Sequence, residues 1–305
     1  MNIPITEQEN PRTASIDKVS TLEAIRLIND EDKTVALAVE KVLPEIAAAI
    51  DKIVERLQNG GQLFYVGTGT SGRLGVLDAS EIPPTFGVPY DLIQGVIAGG
   101  YDALYKATEA SEDNSEAGQS DLQTRGLTSK DAVIGIAASG RTPYTIGALE
   151  YAKSLDCFTA GIACVPDSAM TKVAEIAIVP IVGAEAIAGS SRMKAGTAQK
   201  MVLNLISTAA MIKLGYVKGN RMTNVKSSNA KLKERSRRIL MSETDLNEPA
   251  ANDLLTEANN DLRVAIVMHQ ANVNRQTAEE SLAENDFVIE EAIAQNKLKC
   301  NLTSE

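Results

Sequence analysis

Three short segments rich in Gly, Ser and Thr could bind an anion. They are Gly67–Arg73, Ala138–Pro143 and Gly189–Thr197, and each follows the end of a predicted strand. Gly lets the backbone approach a ligand closely, Ser and Thr add hydroxyl donors, and the N-terminus of a following helix favours negative charge. Three such segments in one chain predict a phosphate-binding site.

The first segment also matches the dinucleotide pattern Gly-x-Gly-x-x-Gly over residues 67–72. A dinucleotide site requires an acidic residue at the end of the second strand, about 20 residues further on, to hold the ribose. The predicted second strand ends in Ala98-Gly99-Gly100, and Asp91 precedes that strand. A dinucleotide would also leave the other two segments without a role, so a phosphosugar is the favoured ligand.

Carboxylates are the second group of candidates for chemistry. Glu81 is predicted at the end of a helix, where Pro83 and Pro84 force a turn. Several acids follow the second strand on one predicted helix, and spacing alone leaves open which of them faces inward: Glu109, Glu112, Asp113 and Glu116. His269, the only histidine, is predicted to be packed or exposed rather than catalytic. Acid–base chemistry therefore falls to carboxylates, Lys or Tyr.

The elements that must position these residues are predicted to form a parallel sheet. Nearly continuous apolar segments alternate with helical patterns, as expected for βαβ units whose strands are covered on both faces. In such a sheet, ligands bind beyond the carboxyl ends of the strands, where all three segments should lie. The predicted strands are residues 62–66, 92–98, 133–137, 158–163 and 176–182, and the helices between them cover about 72–80, 101–124, 143–154 and 168–174.

The two ends of the chain lack this alternation. Residues 1–18 are predicted to be an extended arm, and Ser20 with Glu23 forms a capping box that starts the first helix. A second helix over 35–57 is predicted to kink at Pro44. From about residue 221 only short helices are indicated. The predicted division is an N-terminal arm and helices (1–58), a sugar-phosphate-binding domain (59–220) and a C-terminal helical domain (221–305).

The composition limits which binding partners and which cellular compartment are expected. Forty acidic against 30 basic side chains leave a net charge of −10, which disfavours nucleic acid and anionic membranes. The odd number of cysteines (Cys157, Cys164 and Cys300) lacks metal-ligand spacing, so reduced thiols are expected rather than disulfides or a zinc site. A secretory signal and an apolar run of about 20 residues are both lacking. A cytoplasmic protein without a metal or redox cofactor is expected.

Three longer motifs carry a resemblance to a known family. They are GTGTSGRLGVLDASEIPPTFG at 67–87, GIAASGRTPY at 135–144 and GSSRMKAGTAQK at 189–200. Together they closely resemble the N-acetylmuramic acid 6-phosphate etherases, a branch of the sugar isomerase (SIS) superfamily related to the glucokinase regulatory protein. The likeness runs from about residue 13 into the helical tail. The segment containing Glu81 is specific to the etherase branch, whereas Ser- and Thr-rich loops are general to SIS domains.

The resemblance implies a fold, a reaction and site residues. The fold is α/β, a parallel-sheet SIS domain of flavodoxin-like or Rossmann-like three-layer type, with N-terminal helices and a small C-terminal helical domain. The reaction is a lyase-type removal of the C3 D-lactyl ether from N-acetylmuramic acid 6-phosphate, in recycling or catabolism of cell-wall amino sugars. Implied are a homodimer with a shared site, no cofactor, the catalytic pair Glu81 and Glu112, and phosphate contacts from Thr70, Ser71, Ser139, Thr142, Ser190 and Ser191.

Two other functions fit the same loops. An aldose–ketose isomerase would share the phosphate site and the removal of a proton next to a carbonyl. A sugar-phosphate-sensing regulator would bind the ligand without turnover. An NAD-dependent dehydrogenase is disfavoured by the missing ribose-binding acid. The basic residues of the loops are candidates either for substrate binding or for ion pairs: Arg73, Arg141, Arg192 and Lys194.

Overall fold

The computed structural model describes residues 3–106, 111–224, 230–285 and 287–302. The described chain divides into two compact units. The first comprises the chain up to Ser80 together with Tyr90–Thr208, and the second comprises Glu81–Pro89 and the chain from Ala209 onward. The three-part division inferred from the sequence stays a prediction.

A five-stranded parallel sheet forms the centre of the first unit. Every residue of its first, third and fourth strands is buried, which explains why the sequence is almost continuously apolar there. The predicted α/β parallel-sheet fold is thus confirmed. The strands are β1 (Leu63–Gly67), β2 (Ile93–Ile97), β3 (Ala132–Ile136), β4 (Phe158–Ile162) and β5 (Ile176–Ile178), in the order β2-β1-β3-β4-β5.

Helices accompany this sheet along the chain. Ser20 is the N-cap of the first helix as predicted, since the Glu23 N–H donates to Ser20 Oγ at 3.3 Å, while the Glu23 carboxylate pairs with Arg26. The helices are α1 (Thr21–Asp32), α2 (Val35–Glu40), α3 (Leu43–Gln58), α4 (Gly69–Phe86), α5 (Ser115–Thr124), α6 (Pro143–Ser154), α7 (Ala169–Val173) and α8 (Lys194–Lys213).

The N-terminal part differs from the expectation in two ways. The predicted extended arm instead forms three short 3₁₀ turns, at Ile5–Glu7, Pro11–Thr13 and Ile16–Lys18. The predicted kinked helix is two separate helices, α2 and α3. Pro44 lies in the first turn of α3, where its missing N–H would have no intrahelical partner in any case. The proline therefore begins a helix rather than bending one.

The local structure around both candidate glutamates, Glu81 and Glu112, also differs from the sequence-based prediction. α4 runs through Pro83 and Pro84 to Phe86, so the predicted turn at the prolines is wrong. The N–H of the next residue, Gly87, donates to the Pro83 carbonyl at 2.8 Å. The predicted helix over 101–124 begins only at Ser115, because Asn114 caps α5 by accepting the Ala117 N–H at 3.0 Å. Glu112 and Asp113 therefore lie in the turn before α5 rather than in a helix.

The second unit is mainly helical. Its core surrounds α11, which is buried on most of its circumference, as expected for a central helix. No helix among the described residues has both the length and the apolar character needed to cross a bilayer. The elements are a small hairpin of β6 (Val217–Lys218) and β7 (Arg221–Met222), then α9 (Ala230–Thr244), α10 (Glu248–Glu257), α11 (Leu262–Ala271), α12 (Arg275–Glu284) and α13 (Ile289–Leu302).

Candidate functional site

A polar cavity of about 350 Å³ lies beyond the carboxyl ends of β1 and β3. In the strand order 2-1-3-4-5, the connections from β1 and β3 leave in opposite directions, and the crevice between them is the usual ligand site of such sheets. Seven of the lining residues carry hydroxyl groups. The lining consists of Thr6, Glu7, Thr68, Gly69, Thr70, Ser71, Arg73, Glu112, Ala137, Ala138, Ser139, Thr142 and Ser191.

The first predicted loop becomes the tight turn from β1 into α4. A Cβ on Gly72 would lie 2.6 Å from the Gly67 carbonyl oxygen, so only glycine permits this approach of strand and helix. The first N–H groups of a helix have no intrahelical partner. The first N–H groups of α4, near Thr70 and Ser71, therefore lie at the cavity, where the helix dipole is positive. This end of the cavity suits a phosphate group.

The second predicted loop becomes the start of α6. Thr142 is the N-cap residue, yet its side chain makes no capping hydrogen bond, which leaves the hydroxyl available to a ligand. Ser139 Oγ accepts the Arg141 N–H at 3.3 Å and keeps its own proton to donate. Both side chains line the cavity opposite the α4 turn. The structure thus brings these two predicted loops to one site.

The third loop contributes less than expected. Ser191 lines the cavity, whereas Ser190 does not. The Ser190 carbonyl accepts the Met193 N–H at 3.1 Å, and the Ser191 carbonyl accepts the Gly196 N–H at 3.0 Å, so both residues belong to the turn that starts α8. This turn presents one of the two serines to the cavity.

The basic residues of the loops divide into structural and peripheral groups. Lys194 points away from any ligand, being only 1% exposed with its Nζ 2.6 Å from Glu31 Oε2. Arg73 lines the cavity, but its Nε and Nη2 donate to the backbone carbonyls of Leu104 and Lys106. Arg141 and Arg192 are exposed and do not line the cavity. For Lys194, the ion pair is therefore the observed role.

A buried charge cluster supports the third loop. Glu31 receives Lys194 and also Arg12 Nη2, the latter at 2.9 Å. Glu185, fully buried, accepts the N–H groups of Lys194 and Ala195 at 2.9 Å each and so caps α8. Burial raises the pKa of Glu185, and these N–H donors oppose the shift. Nothing local in the sequence distinguishes Glu31 or Glu185 from surface acids.

Glu31 should be important for stability. Replacing Glu31 by Gln leaves the buried Lys194 ammonium without a counter-charge, which costs about 3–5 kcal/mol of unfolding free energy. Glu31→Leu combined with Lys194→Met should recover most of this loss, since apolar pairs often replace buried ion pairs without penalty. Urea denaturation measures the unfolding free energy of both variants. The matched control Glu23→Gln removes an exposed carboxylate from the same helix, and an equal loss in that variant would contradict the assignment.

The ion pair of Glu31 and Lys194 also makes the stability of the protein depend on pH. Burial acts to raise the pKa of Glu31, but the hydrogen bonds and charges of Arg12 and Lys194 outweigh it and hold the pKa below its ordinary value of 4.5. The pair therefore contributes stability above pH 4.5 and loses it as the pH falls through the folded-state pKa. The difference in stability between the wild type and Glu31→Gln should shrink over that acid range.

Glu112 is the catalytic candidate that reaches the cavity. It lies in the turn before α5, half-buried, and its backbone carbonyl accepts the Tyr144 N–H at the start of α6 at 3.1 Å. Its carboxylate lies beside the α4 turn, since a Cβ on Gly69 would be 3.3 Å from Glu112 Oε1. Gly69, with φ +49°, avoids that crowding. Glu109, another of the acids that follow the second strand, lies outside the described residues.

Glu81 is not among the residues that line this cavity. It is exposed and lies on α4, ten residues after Ser71 along the chain. Nearby Asp78, from the same motif, is buried and accepts hydrogen bonds from Asn204 Nδ2 at 2.6 Å and Ser207 Oγ at 3.2 Å. Burial raises the pKa of Asp78, and these donors oppose the shift. Asp78 thus joins α4 to α8, which is a positioning role.

Ser71 has a buried partner that the sequence did not reveal. Its Oγ donates to Gln199 Oε1 at 3.0 Å, whereas the buried Gln199 Nε2 has no partner. A half-turn of the amide would let Nε2 donate to Ser71 Oγ and release the Ser71 proton for an anionic ligand. Gln199 therefore determines whether Ser71 can donate to a phosphate.

Removing this amide should weaken ligand binding. Gln199→Leu leaves Ser71 without its orienting partner, and we expect the affinity for a sugar phosphate to fall about 5- to 10-fold, the size of one net hydrogen bond. Isothermal calorimetry measures the change. Gln119→Leu, on the exposed face of α5, is the control and should bind as the wild type does. Unchanged affinity in Gln199→Leu would remove Gln199 from the site.

Cys157, Cys164 and His269 lie outside the cavity lining. Burial raises the pKa of Cys157 to about 11 and that of Cys164 to about 12, so both are protonated thiols at neutral pH. His269 is exposed on α11. Among the residues that the structure describes, no three His, Cys, Asp or Glu side chains are grouped as a metal site would require.

Comparison with known proteins agrees with this architecture. Residues 45–153 match the family described as the glucokinase regulatory protein N-terminal SIS domain. The fold is similar to that of a putative phosphosugar isomerase involved in capsule formation from Bacteroides fragilis NCTC 9343, with a TM-score of 0.50 and 19% sequence identity over 66% of this chain and 95% of that chain. The fold of this sheet is therefore that of a SIS domain.

Curated relatives define the family more narrowly. The chain is 53% identical to N-acetylmuramic acid 6-phosphate etherase of Clostridium botulinum (strain Langeland), over 95% of this chain and 96% of that protein. It is 51% identical to the etherase of Photorhabdus laumondii, over 96% and 98% of the two chains. The chain belongs to the N-acetylmuramic acid 6-phosphate etherase family, which confirms the family inferred from the motifs.

Proposed function

We propose that this protein is a carbon–oxygen lyase that cleaves the C3 D-lactyl ether of N-acetylmuramic acid 6-phosphate. The observation that carries the proposal is near-full-length identity of 51–53% to etherases. The cavity supports it, since the Glu112 carboxylate and several hydroxyl groups that could donate to a phosphate line the same space. The products are N-acetylglucosamine 6-phosphate and D-lactate.

Acid–base groups alone can perform this reaction. An alkyl ether resists displacement by water, but in the open-chain sugar the C2 hydrogen is next to the C1 aldehyde. A base removes that proton, the C3–O bond breaks, and an acid protonates the departing lactate. Water then adds at C3 of the unsaturated aldehyde, and C2 takes back a proton. Each general acid or base contributes about 10²–10⁴ to the rate.

The phosphate at C6 would bind at the α4 and α6 ends of the cavity. The hydroxyls of Thr70, Ser71, Ser139, Thr142 and Ser191 supply donors there, and the helix N-termini supply favourable dipoles. Ser190, outside the lining, would act through the turn that holds Ser191. With the phosphate so held, the Glu112 carboxylate beside Gly69 is within the same cavity as the sugar carbons.

We assign the base at C2 to Glu112 and the acid at the lactyl oxygen to Glu81. The exposure of Glu81 on α4 supports a homodimer in which Glu81 of the partner subunit completes the site. Two buried free thiols, Cys157 and Cys164, support a reducing cytoplasmic location.

The experiment is incubation of the purified protein with N-acetylmuramic acid 6-phosphate in D₂O. We expect D-lactate, detected enzymatically, and one deuterium at C2 of the amino sugar product. A ketose product without lactate would indicate the isomerase instead. Binding without turnover of any kind would indicate the sugar-phosphate-sensing regulator.

A further inference from the structure

The N-terminal arm, residues 3–13, forms part of the cavity wall. Thr6 and Glu7 line the cavity with the loops that follow β1 and β3, although they lie about 60 and about 130 residues before those loops in the chain. The motifs and the strand pattern assigned this segment no role in the site. Its position raises the question of what its side chains contribute.

Hydrogen bonds hold the arm in place along residues 184–189. The Gly189 N–H donates to the Thr6 carbonyl at 3.2 Å, Asn10 Nδ2 donates to the Ala184 carbonyl at 3.3 Å, and Thr13 Oγ1 donates to the Ala186 carbonyl at 2.8 Å. Arg12 adds its ion pair with Glu31. Because residues 184–189 lead directly into the turn that holds Ser191, the arm and the third loop form one continuous wall.

Thr6 carries a buried hydroxyl without a partner. The residue is 1% exposed, and its Oγ1 makes no hydrogen bond. Buried polar groups in folded proteins are nearly always paired, so this unpaired hydroxyl in the cavity wall is available to a ligand. A threonine hydroxyl can both donate and accept, which suits a sugar hydroxyl or a phosphate oxygen equally.

Glu7 places a second carboxylate at the same cavity. It is exposed, and a Cβ on Gly189 would lie 2.9 Å from its Oε2, so Gly189 leaves it room. Glu7 and Glu112 face a single lining cation, Arg73, which is engaged with backbone carbonyls. A carboxylate at this position repels a bare anion and accepts hydrogen bonds from hydroxyl or amide groups. It therefore favours a ligand that carries such groups beside its phosphate.

We propose that Thr6 and Glu7 bind the sugar moiety of the substrate and make the site selective for an amino sugar phosphate over simple phosphate. This proposal rests on the function proposed above and adds the residues that contact the sugar. The arm is then a specificity element of the site, while the loops after β1 and β3 bind the phosphate.

Calorimetry with N-acetylglucosamine 6-phosphate and with inorganic phosphate tests this division. Glu7→Gln should weaken sugar-phosphate binding about 10-fold, the size of a hydrogen bond to a charged group, and should leave phosphate binding unchanged or tighter. Glu9→Gln makes the same change on an exposed residue of the arm outside the cavity lining, and should match the wild type with both ligands.

Substitutions of Thr6 separate binding from packing. Thr6→Val keeps the shape and should weaken sugar-phosphate binding about 3- to 10-fold, whereas Thr6→Ser keeps the hydroxyl and should bind like the wild type. Wild-type affinity in both Thr6→Val and Glu7→Gln would overturn the proposal, as would a greater loss in Thr6→Ser than in Thr6→Val. A wild-type protein that neither binds the sugar phosphate nor releases lactate would refute the proposed function, and this inference with it.

Discussion

Replacing Glu112 by Gln is expected to lower the rate of D-lactate release about 10²–10⁴-fold, because an amide cannot take the C2 proton. The fold should persist, since the interaction that anchors this turn is made by the backbone carbonyl of Glu112, which accepts the Tyr144 N–H. Gln also preserves the size of the side chain beside Gly69. Steady-state release of D-lactate from N-acetylmuramic acid 6-phosphate measures the effect.

Deuterium exchange assigns the role of Glu112 more sharply. Exchange at C2 of N-acetylglucosamine 6-phosphate in D₂O requires removal of the proton but no leaving group. Glu112→Gln should abolish this exchange, while Glu116→Gln, an exposed acid in the first turn of α5, should leave exchange and turnover intact. Turnover of Glu112→Gln at the wild-type rate would exclude Glu112 from the mechanism.

Replacing Glu81 by Gln is expected to lower lactate release on the same scale of about 10²–10⁴-fold, but for a different step. Loss of the acid should block departure of the lactyl oxygen and leave C2 exchange of N-acetylglucosamine 6-phosphate active. The exposed position of Glu81 on α4 makes a general loss of stability unexpected, since exposed substitutions usually change stability by less than about 0.5 kcal/mol. Loss of both activities in Glu81→Gln would assign the base role to Glu81 instead.

Mixed dimers test where the second carboxylate comes from. In a dimer of one Glu81→Gln chain and one Glu112→Gln chain, a site built from both subunits retains one intact pair of glutamates. Random reassembly of equal amounts makes about half of the dimers mixed, each with one of two sites intact, so about a quarter of wild-type activity should return. Two inactive variants that stay inactive together would show that each site takes both glutamates from one chain.

The site was only partly predictable from sequence. Thr70, Ser71, Ser139 and Thr142 follow strand ends, and every parallel strand delivers its carboxyl end to the same edge, so local pattern and topology place them together. Glu112 also lines the cavity, but the sequence assigned it to a helix, while Asn114 starts that helix only after it. Its inward position depends on contacts with α4 and α6 that no local spacing encodes.

Local pattern determined the parallel α/β sheet, the phosphate loops and the family of this protein, because side-chain period, glycine turns and capping residues act between near neighbours along the chain. Tertiary structure alone decided that Lys194 pairs with Glu31 inside the protein and that the N-terminal arm, through Thr6 and Glu7, closes the cavity. Those decisions depend on residues more than a hundred positions apart. Their energies, from burial of charge and pairing of polar groups, exist only once the chain has folded.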